Sequence, residues 1–271
     1  MDRFTDKPKK ELGQYWLNDE ATLEAICNYA ELKTDDTVLE VGPGTGSLTK
    51  KILETGAQVV AVEKDEELAA QLRGLRVRPV DSTGRTRRGQ LEVIAGDILR
   101  FDLTRLPSGF KVVANIPYYL TSNLLRLLSE VANPPSLMIL LVQKEVAERI
   151  AAKSGQMSLL SVSVQLYYQP ELGKVVPAKL FSPPPKVDSQ VVILRRHRSP
   201  LFKNLNSQNF FRLVKAGFSE RRKKLRSSLA GGLGISKEEA DSLLNRANIS
   251  PDARAQELSL EQWFRLSEHF Q

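Results

Sequence analysis

The chain has 271 residues, 41% hydrophobic and 26% charged, which is enough apolar material for a packed core and argues against wholesale disorder. Thirty-nine Lys and Arg against 32 Asp and Glu leave a net charge of +7, a first pointer to a polyanionic partner. One cysteine (Cys27) and two histidines (His197, His269) exclude an internal disulfide and argue against a Cys- or His-built metal centre, and no apolar run reaches the roughly 20 residues of a membrane span.

Residues 1–7 hold no apolar block of the secretory kind, so a soluble, cytoplasmic protein without metal or membrane chemistry is expected. Leu23, Ile26, Cys27 and Ala30 recur at helical spacing and predict an amphipathic helix over 20–30, with Cys27 as a core residue. Thr37–Val41 is a short apolar strand that runs into Gly42-Pro43-Gly44-Thr45-Gly46 and then a helix over about 47–55. Gln58–Val62 is the next strand, ending at Glu63, and Asp65 is placed to cap a helix over 66–73. Further buried strands are predicted over 91–95, 111–114 and 137–142, alternating with helices over 122–131 and 143–152. This alternation predicts a doubly wound, mostly parallel α/β sheet.

After Ser158 the pattern changes. Residues 159–168, 172–177 and 187–196 read as strands without helices between them, so the sheet is expected to finish antiparallel. Beyond Ser199-Pro200 the apolar spacing is helical to the end, which predicts a small all-helical domain over 199–271 behind a larger domain over 1–198. The basic charge is concentrated in two places. Residues 195–226 hold eleven Lys or Arg and a single acid, Glu220, and residues 73–90 hold six Arg and one Asp. The stretch 74–90 lacks periodicity and reads as an exposed loop.

Glycines between a strand and a helix permit a tight turn and the close approach of a ligand to the backbone. Glu63, 21 residues further on at the end of the next strand, is placed to accept hydrogen bonds from ribose hydroxyls. The pattern is G-x-G-x-G with Ser47 where a dinucleotide-binding turn has its third glycine, and it lacks the Lys-Ser/Thr of a P-loop. It resembles the turn of S-adenosylmethionine (SAM) methyltransferases. Asp97 of Gly96-Asp97-Ile98 can accept from an adenine amino group, or simply cap a turn.

Asn115-Ile116-Pro117-Tyr118-Tyr119 follows the strand at 111–114. An exocyclic adenine amine is a poor nucleophile because its lone pair is delocalised into the ring. The Asn115 side-chain oxygen, with the Ile116 or Pro117 carbonyl, can hold its N–H groups and favour a pyramidal nitrogen. Tyr118 offers a flat face for the base. Transfer from a sulfonium then needs positioning rather than a metal or a strong base.

Lys10–Asp19, Glu40–Gly46, Glu63, Gly96–Leu99, Asn115–Tyr119, Phe181–Ser189 and Phe218–Leu225 together resemble the rRNA adenine N6-dimethyltransferases, in particular the bacterial enzymes that dimethylate two adjacent adenosines in a hairpin near the 3′ end of 16S rRNA. The resemblance implies a Rossmann-like SAM-methyltransferase fold, SAM as cofactor, and 16S rRNA in the immature 30S subunit as partner of a monomeric enzyme. It implies a SAM site lined by Gln14, Tyr15, Leu17, Gly42, Gly44, Glu63, Lys64, Asp97, Ile98 and Asn115. It also implies that Asn115, Pro117 and Tyr118 handle the target base, that Phe181 stacks on it from the other side, and that Arg221, Arg222, Lys223 and Lys224 meet RNA. Tyr15-Trp16 stands where the family usually has Asn-Phe, which puts a Tyr15–SAM contact in question. Read alone, Phe181–Pro185 is a stiff polyproline connector with an anchoring aromatic. Two rivals stay open: a 23S rRNA adenine methyltransferase of the macrolide-resistance type, and a non-catalytic ribosome-assembly factor.

Overall fold

A computed structural model describes residues 8–9, 12–75 and 90–270. Seven strands form one sheet: β2 (Thr37–Val41), β3 (Gln58–Glu63), β4 (Leu91–Ala95), β5 (Lys111–Asn115), β6 (Leu137–Gln143), β7 (Tyr168–Val176) and β9 (Ser189–Arg196). Their spatial order is β4-β3-β2-β5-β6-β9-β7. The pairs β2–β3, β3–β4, β2–β5 and β5–β6 are parallel, and β6–β9 is antiparallel, as the pattern after Ser158 anticipates. A separate two-stranded ladder joins β1 (Trp16–Leu17) to β8 (Phe181–Ser182), with Trp16 opposite Ser182 and Leu17 opposite Phe181.

The order of the strands fixes where a ligand can sit. From β2 the chain winds outward through β3 and β4, then returns to lay β5 against the other side of β2. The strand order reverses between β2 and β5, and a crevice opens there at the carboxyl ends. Gly42 follows β2 and Asn115 ends β5, so topology alone brings the glycine turn beside the Asn-Ile-Pro-Tyr turn.

Local chemistry starts and stops the helices at that edge. Asp19 caps α1 (Glu20–Ala30) by accepting from the Thr22 N–H at 3.0 Å. Asp65 caps α3 (Glu66–Leu72) through the Glu67 and Leu68 N–H groups, as expected from its place in the sequence. Gly46 precedes α2 (Ser47–Glu54), and α4 (Thr121–Glu130) follows the turn after β5. Leu23, Ile26 and Ala30 of α1 pack with Ile52 and Leu53 of α2 against Val113, Ile139 and Ile193 of the sheet. Cys27 is partly buried against this core, and its burial pushes the thiol up to about 12, so it stays protonated.

One expected strand is a helix. Residues 159–168 alternate apolar and polar side chains, yet α6 spans Leu159–Gln165. The Ser158 hydroxyl accepts from the Ser161 N–H, and the Ser161 hydroxyl accepts from the Ser158 N–H at 2.6 Å. This reciprocal cap satisfies two donors at a helix start and outweighs a short alternating run. β7 begins only at Tyr168, and the region read as 172–177 is its second half.

Contacts divide the chain into residues 1–147 with 170–196, and residues 148–169 with 197–271. The expected single cut at 198/199 therefore leaves out 148–169, whose Met157, Val162 and Leu166 share a core with the C-terminal helices. Those helices are α7 (Ser207–Phe218), α8 (Leu225–Leu233), α9 (Lys237–Arg246) and α10 (Leu260–Glu268); α5 (Lys144–Ile150) lies at the division. Phe210, Leu213, Leu229, Leu244 and Trp263 fill the second core. Helices α7 and α8 approach so closely that a Cβ at Gly232 would stand 2.7 Å from the Ala216 Cα, which only glycine allows.

Candidate active site

The cavity at the β2–β5 switch point is lined by residues of 12–17, the 40–48 turn, 62–64, 96–99 and 115–120. Gly42 and Gly44 adopt left-handed φ values of +65° and +59°. A side chain at Gly44 would be strained there, and its Cβ would press on the Trp16 indole at 3.3 Å. The turn is thus open backbone with one aromatic laid against it.

Glu63 ends β3 and is nearly buried. Its Oε2 accepts from the Gly44 N–H at 3.0 Å and its Oε1 from the Asp65 N–H at 2.9 Å. Burial pushes its carboxyl up, while these backbone hydrogen bonds pull it back. A carboxylate has about four acceptor sites, so capacity remains for further donors. Asp97 does the capping its sequence context allowed: Oδ1 accepts from the Leu99 N–H at 3.0 Å. Its other oxygen pairs with Lys64 at 3.0 Å. The Leu99 N–H, then Lys64, hold Asp97 below the usual carboxylate range. Ile98 is buried beside it and lines the same cavity.

Asn115 is the last residue of β5, and its Nδ2 donates to the Tyr15 carbonyl at 3.1 Å. A carbonyl only accepts, so this contact fixes which way the amide faces. Pro117 opens the 3-10 turn Tyr118–Leu120, and its carbonyl accepts from the Leu120 N–H at 2.9 Å with one lone pair to spare. The Tyr118 ring stacks on Tyr15 with centroids 5.5 Å apart, and its hydroxyl bonds the Ser189 hydroxyl at 2.8 Å. Burial raises the Tyr118 phenol further, so it stays neutral.

The segment from Gln14 to Asn18 is tied down along its length. Gln14 Nε2 donates to Asp65 at 3.3 Å, while its Oε1 accepts from the Lys9 N–H at 2.7 Å. Ser47 donates to Asn18 at 3.2 Å. Gln14, Tyr15 and Leu17 all line the cavity. Phe181 does not: it is 4% exposed, opposite Leu17 in the β1–β8 ladder and packed in the sheet core.

The basic residues sort by partner. Lys223 pairs with Glu220 and Lys224 with Asp252, whereas the exposed Arg221 and Arg222 have no carboxylate within salt-bridge distance among the described residues. Residues 76–89, and with them most of the second basic cluster and the predicted loop, lie outside the described residues. No group of three or more His, Cys, Asp or Glu suited to a metal occurs among the described residues, and no described helix is long and apolar enough to cross a membrane.

Glu40 heads the Glu40–Gly46 motif but has no role in the expected site, yet it lines the cavity. It is 1% exposed, and its Oε2 has no hydrogen-bond partner among the described residues. Burial pushes its carboxyl up to about 8; nearby Glu63 adds to the rise and the Thr49 hydroxyl opposes it. The clue in the sequence is Val38-Leu39-Glu40-Val41, where one acid interrupts a buried strand.

The ribosomal RNA adenine dimethylase family model matches residues 5–271. A ribosomal RNA small subunit methyltransferase A of Thermosynechococcus vestitus is 43% identical over 269 residues, covering 97% of this chain and 96% of its own. One from Dehalococcoides mccartyi strain CBDB1 is 42% identical over 271 residues, covering 98% and 89%. A dimethyladenosine transferase from Plasmodium falciparum superposes with a TM-score of 0.75 at 26% identity, covering 92% of this chain and 95% of that one. The 23S rRNA methyltransferase ErmE superposes with a TM-score of 0.69 at 28% identity, covering 94% and 99%. With a family model spanning nearly the whole sequence and relatives above 40% identity over almost their full length, the chain belongs to the ribosomal RNA adenine dimethylase family, as a SAM-dependent enzyme.

Proposed function

We propose that the enzyme dimethylates N6 of two adjacent adenosines in the hairpin near the 3′ end of 16S rRNA, acting as a cytoplasmic monomer on the immature 30S subunit. The small-subunit target is supported by the names of the relatives above 40% identity; the ErmE likeness, at 28%, supports the fold. The observation that carries the chemistry is Asn115. Its nitrogen is engaged by Tyr15, and its oxygen has no hydrogen bond among the described residues, at the switch-point cavity.

The lining fits SAM. The donor is a sulfonium carrying an α-ammonium, and the cavity presents the carboxylates of Glu63 and Asp97 beside the protonated carboxyl of Glu40, whose buried Oε2 is unpartnered among the described residues. Open backbone at Gly42 and Gly44 admits the donor's chain, Glu63 accepts from its ribose hydroxyls, and Leu17 and Ile98 supply apolar walls. Asp97, already paired with Lys64, offers its remaining lone pairs to the adenine amine. Gln14, bonded to Asp65 and Lys9, holds the segment that carries Tyr15 and Leu17 over the cleft. When bound, SAM supplies an electrophilic methyl group with a neutral thioether as leaving group.

The chain's own residues then position the acceptor. Asn115 Oδ1 and the spare lone pair of the Pro117 carbonyl accept the N6 hydrogens of an extruded adenosine. Tyr118 stacks on the base with the face that Tyr15 leaves free. Extrusion from a loop costs a few kcal/mol, less than from a paired helix. Phe181 takes its assigned place on the far side of the base only if the β1–β8 ladder yields, since it is core-packed here. Arg221 and Arg222 meet RNA phosphate, with Lys223 and Lys224 as secondary contacts because each first leaves a carboxylate.

Labelled methyl transfer from SAM to small subunits purified from cells lacking the modification tests the proposal. Four methyl groups per subunit are expected at completion, against none for subunits already modified. Incorporation into large subunits alone would assign the 23S alternative.

A further inference from the structure

We infer that Ser189 is a positioning residue for the target base, acting through the Tyr118 hydroxyl; this rests on the assignment of Tyr118 as the stacking face. Ser189 is fully buried at the start of β9, in antiparallel register with Gln143 of β6. The residue before it is held from two sides. The preceding Asp188 carbonyl accepts from the Lys144 N–H at 3.0 Å, and the Asp188 side chain accepts from the Ala178 N–H at 2.9 Å.

A hydroxyl at this position needs a reason. It stands at the head of Val191-Val192-Ile193-Leu194, where alanine packs as well and carries no desolvation cost. The described partner of its side chain is the Tyr118 hydroxyl, at 2.8 Å. Tyr118 is thereby held at its tip by Ser189 and across one face by Tyr15, 5.5 Å away. A tyrosine ring left loose at the mouth of a cleft samples several rotamers, and each binding event must select one. Two fixed contacts make that selection before RNA arrives, which lowers the cost of stacking. Phe181 and Ser189 also bound one connecting segment, so the same stretch of chain meets the Gln14–Asn18 segment at one end and the stacking tyrosine at the other.

A merely structural serine and a positioning serine differ in their coupling to Tyr118. Ser189→Ala, Tyr118→Phe and the double variant are compared with wild type for kcat and KM on unmodified small subunits at saturating SAM. Each single change is expected to raise KM for the subunit about three- to tenfold, the scale of one net hydrogen bond, with the SAM affinity within about twofold of wild type. The double variant is expected to match Tyr118→Phe, because the two hydroxyls form one contact. A Ser189→Ala variant at wild-type KM, or one that adds its full factor in the Tyr118→Phe background, overturns the inference. Should Ser189→Ala not fold, Tyr118→Phe alone decides: a wild-type KM overturns it. Tyr118→Ala at full rate instead removes the stacking assignment itself, so the two failures are distinguishable.

Discussion

The Asn115 amide nitrogen donates to the main-chain carbonyl of Tyr15, a hundred residues earlier in the chain, at 3.1 Å. This contact turns the Asn115 oxygen away from Tyr15 and ties the proposed acceptor to the N-terminal segment that lines the cavity. Asn115→Ala removes the acceptor and is expected to lower the single-turnover methyl-transfer rate on the order of 100-fold at saturating SAM. Asn115→Asp is expected to be equally defective, since an ionised carboxylate has no proton for the Tyr15 carbonyl and repels it. Full activity in either variant contradicts the role assigned to Asn115.

Glu63 presents a carboxylate already aligned by two backbone N–H groups. Glu63→Ala removes the proposed ribose acceptor and takes from the Gly44 and Asp65 N–H groups the carboxylate they donate to. A charged hydrogen bond contributes about 1.5–3 kcal/mol, so SAM affinity by calorimetry is expected to fall about 10- to 100-fold. Binding to RNA measured without SAM is expected to stay unchanged.

Glu40 gives a pH signature. The folded chain keeps a proton on this carboxyl up to about pH 8, whereas the unfolded chain releases it near pH 4.5. Its contribution is therefore complete below the unfolded value, declines as pH rises from there, and is gone above the folded value. Relative to Glu40→Gln, wild-type stability without SAM is expected to fall as pH rises from about 4.5 to about 8 and then level off. Denaturant titrations at several pH values check this; parallel curves for the two proteins contradict it.

Gly232 marks the closest approach of α7 and α8. Gly232→Ala forces a Cβ to within 2.7 Å of backbone at Ala216, so the helices must separate. A loss of about 1–3 kcal/mol in unfolding free energy is expected, with the SAM affinity retained.

Arg221 and Arg222 are exposed and lack the carboxylate partners of Lys223 and Lys224. Charge reversal at both arginines is expected to weaken rRNA binding at least about tenfold and to flatten its salt dependence by about one unit of log–log slope for each phosphate left unneutralised. Reversal at Lys224 is expected to have a smaller effect, because it also releases Asp252.

The sheet was legible because β2, β5 and β6 are buried apolar runs closed by turn chemistry, and because Asp65 announces the helix it caps; β4, expected as a buried strand, forms at the sheet edge with no fully buried residue. The glycine turn and Asn115-Ile116-Pro117-Tyr118 were legible as short, local patterns. What escaped is non-local or reciprocal. The alternation over 159–168 hid a helix whose deciding feature is the Ser158–Ser161 cap, and the affiliation of 148–169 depends on contacts with residues far along the chain. Neither the Gln14–Asp65 tie nor the Tyr118–Ser189 bond leaves a periodic trace, since they join segments 51 and 71 residues apart. Read from its residues alone, Phe181 is the anchoring aromatic of a proline connector, and its buried place opposite Leu17 fits that reading better than the stacking role that the resemblance implies.

Mass mapping of methylated nucleotides in rRNA, after incubation of unmodified ribosomal subunits with the enzyme and SAM, tests the central claim most directly. Two neighbouring N6,N6-dimethyladenosines near the 3′ end of 16S rRNA, formed on the order of 100-fold more slowly by Asn115→Ala, are predicted. Methyl groups confined to 23S rRNA, or none on adenine N6, would contradict the account.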